Sequence, residues 1–474
     1  MTDTSNSELD AIFEKQKQAF AQDRYPPLEA RLERLRALDN MMIAFREPMR
    51  EALASDFDSH HPLVTDLFES GAIIARGRYI QTQLEEWMKP ITRELNPMVH
   101  GSSTARVIRQ PKGVIGNISP WNFPIECALI MVNDMFAAGN RVVIKTSEHA
   151  PASAEVVKEA VGTHFDEDLL AVVTGGVELA QYFSSLPWDH LVYTGSTEVG
   201  RLVMEAAAKN LTSVTLEMGG KNPTIFAEDG LEQGLIERFL YFRVFKGGQV
   251  CTSPDYVLVP DARLAEWVAM AKNAWSSLYP DYVGHPDATG AINEHHFNRV
   301  MGYVDEAREK GIDVISLNGD EPDRERRQIP MYVVIDPPED LKCMQEEIFG
   351  PVTPVKTYTD IDEAIAYVNT RPRPLAAYLV TRSDDLAEQV STQVISGGLG
   401  VNVFGFQAAE PTLPFGGTGA SGIGCHSGYE GFVNYSHTKS IFNCADDNPL
   451  MYAIRPPYGD MAQAFADAVF TPVE

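Results

Sequence analysis

Cysteine is sparse and scattered in this chain. Its five cysteines, Cys127, Cys251, Cys343, Cys425 and Cys444, include no C-x-x-C pair. An odd, dispersed set argues against both a disulfide framework and a thiolate zinc site, and fits a reducing cytoplasm. Positive charge is also in deficit: 39 Lys and Arg stand against 66 Asp and Glu, a net charge of −27. Such a field repels phosphate polymers and anionic lipid, so nucleic acid is not an expected partner. Long apolar runs are missing as well. The run from Cys127 to Val132 stops at Asn133 and Asp134, far short of the roughly 20 residues of a membrane span. The opening MTDTSNSELDAIFEKQKQAF has no basic start, apolar core and small-residue cleavage site. No secretory signal is therefore expected, and the mature chain should begin close to Met1. There is no H-E-x-x-H. The adjacent pairs His60-His61 and His295-His296, whose side chains diverge, are expected at the surface, and no metal site is expected.

What is present suits a globular protein of two or three domains: 474 residues, 44% of them hydrophobic and 22% charged. Residues 8 to 55 read as amphipathic helices, because Leu28, Leu32, Leu35, Leu38 and Met42 recur at three- and four-residue spacing. A polar stretch from Asn96 to Gln110 reads as irregular. Beyond it the apolar runs at 114–118, 141–145, 170–173 and 190–193 alternate with helical segments at 123–138, 152–164 and 198–209. That alternation indicates βαβ units and a doubly wound parallel sheet. A second α/β segment begins near Gly219 with a strand at 256–259 and helices at 264–275 and 362–368. The glycine-rich stretch Gly416 to Gly431 and the tail around Arg455-Pro456-Pro457-Tyr458-Gly459 read as punctuation rather than core.

Four segments carry candidate chemistry. In Phe245-Lys246-Gly247-Gly248-Gln249-Val250-Cys251 a cysteine sits between a glycine pair and Pro254, a setting for a sharp turn with an accessible sulfur and convergent backbone N–H groups. Alone, Cys251 reads as a small buried hydrophobe. Leu216-Glu217-Met218-Gly219-Gly220-Lys221 ends an apolar strand with a carboxylate before two glycines. Pro120-Trp121-Asn122-Phe123-Pro124 ends another with an amide between prolines. Gly195-Ser196-Thr197-Glu198-Val199-Gly200 joins strand to helix, where N–H groups at the positive helix end suit a pyrophosphate. It is not the usual G-x-G-x-x-G.

In combination these segments are more specific. PWNFP, GSTEVG, LEMGGK, GQVC, EEIFGP and PFGGTGASG occur in the order found in aldehyde dehydrogenases, and the chain resembles that superfamily from its first helices to its tail. GQVCTSPDYVLV looks like the short-N-terminus branch, which includes fatty-aldehyde and aromatic-aldehyde enzymes. The ending NPLMYAIRPPYGD with KGGQVCTSPDYVL is similar to the bacterial coniferyl aldehyde dehydrogenases.

The resemblance implies a Rossmann-like doubly wound NAD(P)-binding domain at 1–92 and 111–218. A second α/β catalytic domain would span 219–425, with a small β oligomerisation excursion and tail at 93–110 and 426–474. It implies Cys251 as thiolate nucleophile, Asn122 as oxyanion donor with the Cys251 backbone N–H, and Glu217 as general base for thioester hydrolysis. Trp121 would border the cofactor. Lys145 and Glu148 would hold the adenosine ribose, Gly195, Ser196 and Gly200 the pyrophosphate, and Glu347 and Phe349 the nicotinamide ribose. Glu148 should repel a 2′-phosphate and favour NAD, while Lys145 leaves NADP open. The implied activity is oxidation of an aldehyde, aromatic and coniferyl-type, in a cytoplasmic homodimer. Medium- or long-chain aliphatic aldehydes and a CoA-acylating reaction are the alternatives, the last disfavoured by Glu217.

Overall fold

The computed structural model describes residues 3–470 and 472. Met1, Thr2, Thr471, Val473 and Glu474, including the expected start and the outer end of the expected tail, lie outside the described residues. The amphipathic opening forms the helices Asn6–Gln22, Leu28–Ala44 and Arg46–Phe57. Leu35, Leu38 and Met42 are fully buried where the second of these packs against Gly71–Trp87 and Glu126–Ala138.

Two α/β sheets follow. In the first, five parallel strands run in the order Ser213–Met218, His190–Gly195, Val114–Ile118, Arg141–Lys145, Leu170–Val173. Three of them, 114–118, 141–145 and 170–173, are buried at every residue, because helices cover both faces; hence the near-continuous apolar runs in the sequence. Val114–Ile118 was entered first, and the chain then builds outward on both sides of it. The crevice beside its carboxyl end is therefore the topological switch point, where ligands of open α/β sheets bind. The second sheet has the order Val314–Ser316, Tyr332–Ile335, Val352–Tyr358, Tyr256–Pro260, Pro223–Phe226, Ala376–Val380, Gly398–Val401, with only the first strand antiparallel. Two doubly wound α/β units are thus present, as the α/β reading expected.

Two stretches differ from expectation. Residues 96–110 are not irregular: after a short helix, Thr104–Pro111 forms the centre of a three-stranded antiparallel sheet between Ile91–Arg93 and Ser436–Asn443. Most of its side chains are half-buried, with no clean apolar face, so the period-2 signal is weak. The glycine-rich stretch is not mere punctuation. Gly422–Ile423 pairs antiparallel with Leu216–Glu217, Ser421 and Ser427 are fully buried, and the helix Gly428–Asn434 buries Phe432. A Cβ on Gly417 would lie 2.1 Å from the Ser421 carbonyl oxygen, so glycine here permits close backbone approach rather than mobility. The proline-rich tail at 455–459 is an exposed turn between the helices Pro449–Ala453 and Asp460–Val469, punctuation as expected. Among the described residues no helix is long and apolar enough to cross a membrane.

Candidate active site

The carboxyl ends of Val114–Ile118, His190–Gly195 and Ser213–Met218 open on a cavity of about 570 Å³ that reaches into the second sheet's loops. Trp121, Asn122, Gly195, Ser196, Glu217, Cys251, Glu347 and Phe349, eight of the eleven residues singled out in the sequence, all line it.

Cys251 sits on a turn whose shape is over-determined. Lys246, Gly247 and Gly248 take φ values of 53°, 65° and 72°, and a Cβ on Gly248 would lie 2.7 Å from the Gly350 carbonyl carbon. The Gln249 side chain donates to Lys246 O and Gly290 O, both at 3.0 Å, and accepts from Ile292 N at 2.9 Å. Asn222 Nδ2 donates to Cys251 O at 2.7 Å and Ser253 O at 2.9 Å, while its Oδ1 accepts from Ala376 N at 2.9 Å. These bonds lock the turn to the second sheet. Asn122 Nδ2 donates to Gln249 O at 3.1 Å; an amide nitrogen carries two protons, so one remains for a ligand.

The electrostatics of the cavity are those of buried acids. Burial drives the Glu217 carboxyl far above the usual range, with Arg76 opposing it, and neither Glu217 oxygen has a hydrogen-bond partner. Burial also raises Glu347 to about 7 and Glu126 to about 7, the latter against a hydrogen bond that Cys127 Sγ donates at 3.0 Å. Burial, reinforced by Glu347, Glu126 and Glu217, pushes the Cys251 thiol up. That direction disfavours the charged sulfur, so the attacking thiolate requires removal of the thiol proton.

The remaining residues singled out in the sequence lie along the same edge of the first sheet. Ser196 caps the helix Thr197–Ala208, its side chain accepting from Val199 N at 3.4 Å. Gly200 lies in that first turn, where a Cβ would meet Met218 Sδ at 2.5 Å. A Cβ on Gly219 would lie 2.0 Å from Glu347 Oε1; glycine there keeps open the cradle in which this carboxyl faces the cavity. Lys145 and Glu148 stand apart from the cavity wall, joined by a 2.9 Å ion pair at the end of Arg141–Lys145. Burial raises the Glu148 carboxyl, but the Lys145 hydrogen bond, a backbone N–H and the charges of Lys145 and His149 together outweigh it, and the net shift is downward. A helix start with free N–H groups, a carboxylate at a strand end and a glycine-lined cradle are the donor and acceptor types that suit a dinucleotide.

Several residues escaped the sequence reading. His60 and His296 are not surface residues: His60 is buried and stacks on Phe57 with centroids 5.5 Å apart, and His296 lines the cavity 4.6 Å from the Trp121 ring. Neighbours in sequence need not share an environment, since His295 beside it is exposed. Arg76, Glu126, Cys127 and His426 also line the cavity. Only Glu126, two residues beyond the PWNFP turn, lay close enough to a motif to be noticed.

The aldehyde dehydrogenase family model matches residues 1–441. The probable coniferyl aldehyde dehydrogenase of Caulobacter vibrioides is 39% identical over 465 residues, covering 97% of this chain and 96% of that protein. The coniferyl aldehyde dehydrogenase of a Pseudomonas species is 37% identical, covering 96% and 94%. Among solved structures, the substrate-bound AldH of Staphylococcus aureus superposes with a TM-score of 0.91 at 29% identity over 98% of this chain and 99% of that one. The aldehyde dehydrogenase of Mycobacterium tuberculosis complexed with NAD+ gives 0.83 at 27% identity, over 93% and 91%. With its cavity, its cysteine turn and these relatives taken together, the chain belongs to the aldehyde dehydrogenase family.

Proposed function

We propose that this enzyme oxidises an aromatic, coniferyl-type aldehyde to the carboxylic acid with NAD, through a thioester on Cys251. The observation that carries the reading is that a cysteine, an amide donor and an unpartnered buried carboxylic acid, Cys251, Asn122 and Glu217, face one cavity. The Cys251 sulfur bonds to the aldehyde carbon as its proton passes through water in the cavity to bulk solvent. Asn122 Nδ2–H and the Cys251 N–H donate to the oxygen that gains charge. Bound NAD would supply a hydride acceptor, so that the carbon loses hydride and an acyl group is left on the Cys251 sulfur. Glu217, in its ionised form, then takes a proton from water while the water oxygen bonds to the acyl carbon and the carbon–sulfur bond breaks. The acid leaves and the sulfur regains a proton.

Aromatic preference is supported by the cavity wall, where Phe68 meets Phe245 edge-on at 4.6 Å and Phe242 stacks on Phe245 at 6.1 Å, and by the two relatives named for coniferyl aldehyde. NAD over NADP is supported by the Lys145–Glu148 pair, which engages the lysine that a 2′-phosphate would need. The residues at 1–92 and 111–218 are assigned to cofactor binding, 219–425 to catalysis, and 93–110 with 426–474 to an excursion and tail. A homodimer is favoured by the open edge of Ser436–Asn443 and by exposed Met98, Phe442 and Met451 nearby. Five free cysteines favour a reducing cytoplasm. The test is kcat/KM for coniferyl aldehyde against hexanal, with and without CoA. A preference for coniferyl aldehyde and a free-acid product are expected; hexanal preference overturns the aromatic assignment, and CoA dependence overturns hydrolysis.

A further inference from the structure

Beside Glu217 lies a buried polar array that the chemistry above leaves unused. Arg76, on the helix Gly71–Trp87, is buried and donates from Nη1 to Asp134 Oδ2 at 3.3 Å and to His426 Nδ1 at 2.7 Å. A guanidinium has donors only, so Nδ1 must be the lone-pair nitrogen and the His426 proton must sit on Nε2. Burial, with Arg76 adding to it, holds the imidazole well below its ordinary pKa, so the ring stays neutral. Its place is fixed as firmly as its tautomer. The His426 N–H and C=O exchange hydrogen bonds with Phe415, both at 2.7 Å, and the two rings pack with centroids 5.0 Å apart.

The segment carrying His426 is stitched to the strand carrying Glu217. Gly422 stands opposite Glu217 in antiparallel register, and Met218 N donates to Ser421 O at 3.0 Å. Arg76, Glu217, Cys251 and His426 all line the one cavity. Both Glu217 oxygens lack partners, and no acceptor for His426 Nε2–H occurs among the described residues. A donor without an acceptor and a buried acceptor without a donor thus line the same cavity as Cys251. A water molecule there would satisfy both.

We propose that His426 Nε2–H holds the hydrolytic water by its oxygen while that water's proton points to Glu217, and that Arg76 is the positioning residue that fixes the His426 tautomer. This rests on Glu217 being the base for deacylation. His426 keeps its proton throughout: the water proton goes to Glu217, the new carbon–oxygen bond forms and the carbon–sulfur bond breaks, as above. His426 therefore serves hydrolysis and not acyl transfer to the sulfur.

The test is rapid-quench turnover of the full-length enzyme with NAD and coniferyl aldehyde, reading NADH formation and acid release separately. For His426→Phe, NADH formation near the wild-type rate is expected, with acid release slowed about tenfold, the order of one lost hydrogen bond. His426→Gln, which restores a donor where Nε2–H stood, should recover most of the loss. Arg76→Met should slow acid release and Arg76→Lys should recover it in part. Wild-type acid release in His426→Phe, with Glu217→Gln slow, overturns the proposal and spares Glu217. Wild-type acid release in Glu217→Gln overturns both. If His426→Phe does not fold, His426→Asn against His426→Gln decides: slow release with Asn and fast with Gln supports the proposal, and equal rates overturn it.

Discussion

Replacing Glu69 by Gln removes one charge from an ion pair with no access to solvent. Glu69 Oε1 pairs with Lys246 Nζ, and both side chains are 0% exposed. Glu69 Oε2 accepts from Ile125 N at 3.2 Å and Glu126 N at 2.8 Å, so the same carboxylate satisfies the start of the helix Glu126–Ala138. Lys246 opens the turn to Cys251 and lies 4.0 Å from the Phe123 ring centroid, next to Asn122. Breaking one side of such a pair costs about 3–5 kcal/mol, because a buried ammonium is left uncompensated. Contact of Lys246 with Phe123 and Phe57 is common to both proteins and does not offset that loss. At about 2–4 °C per kcal/mol for a domain of 150–250 residues, the melting midpoint should fall by several degrees.

Burial already lowers the Lys246 pKa against the pull of Glu69. Without that carboxylate it falls further, the folded state binds its proton less tightly than the unfolded state, and stability rises with pH. The deficit of Glu69→Gln should therefore be larger at pH 6 than at pH 9, and Lys246→Met in the same background should recover part of it. Calorimetry at the two pH values is the assay. A midpoint within 1 °C of the wild type at both would refute the reasoning.

Asn122→Ala should slow NADH formation by about a hundred- to thousandfold, the worth of one oxyanion donor, with NAD affinity unchanged; stopped-flow absorbance and calorimetry check the two parts, and an unaltered rate removes Asn122 from that role. Gly219→Ala sets a methyl against Glu347, 2.0 Å from Oε1, and should weaken NAD binding by about tenfold, the order of one lost hydrogen bond to a charged group. Titration calorimetry showing wild-type affinity would place Glu347 away from the cofactor. Glu217 is protonated below its raised pKa and becomes a base only as the pH rises through it, so acid release should climb with pH above the ordinary carboxylate range. A flat profile between pH 5 and 9 would exclude Glu217 as the titrating base.

The strands 114–118, 141–145 and 170–173 were legible because burial on both faces demands an unbroken apolar run. Thr104–Pro111 was not, since its partner Ser436–Asn443 lies over 300 residues away and neither strand has a clean apolar face. The nucleophile, base and amide stood beside glycines and prolines that force sharp turns, and turns leave a local signature. Arg76 and His426 left none. They meet across 350 residues of sequence, and what the histidine presents to the cavity is decided by which of its nitrogens the arginine occupies. The upward shift of the Cys251 thiol was equally invisible, because it comes from burial first and then from three carboxyl groups brought in from separate segments.

The most direct measurement is the mass of the enzyme quenched during turnover, followed by peptide mapping. The substrate's acyl group is expected on the peptide carrying Cys251, transient in the wild type and accumulating in Glu217→Gln. Turnover with no adduct, or an adduct on Cys127, which lines the same cavity, would contradict it.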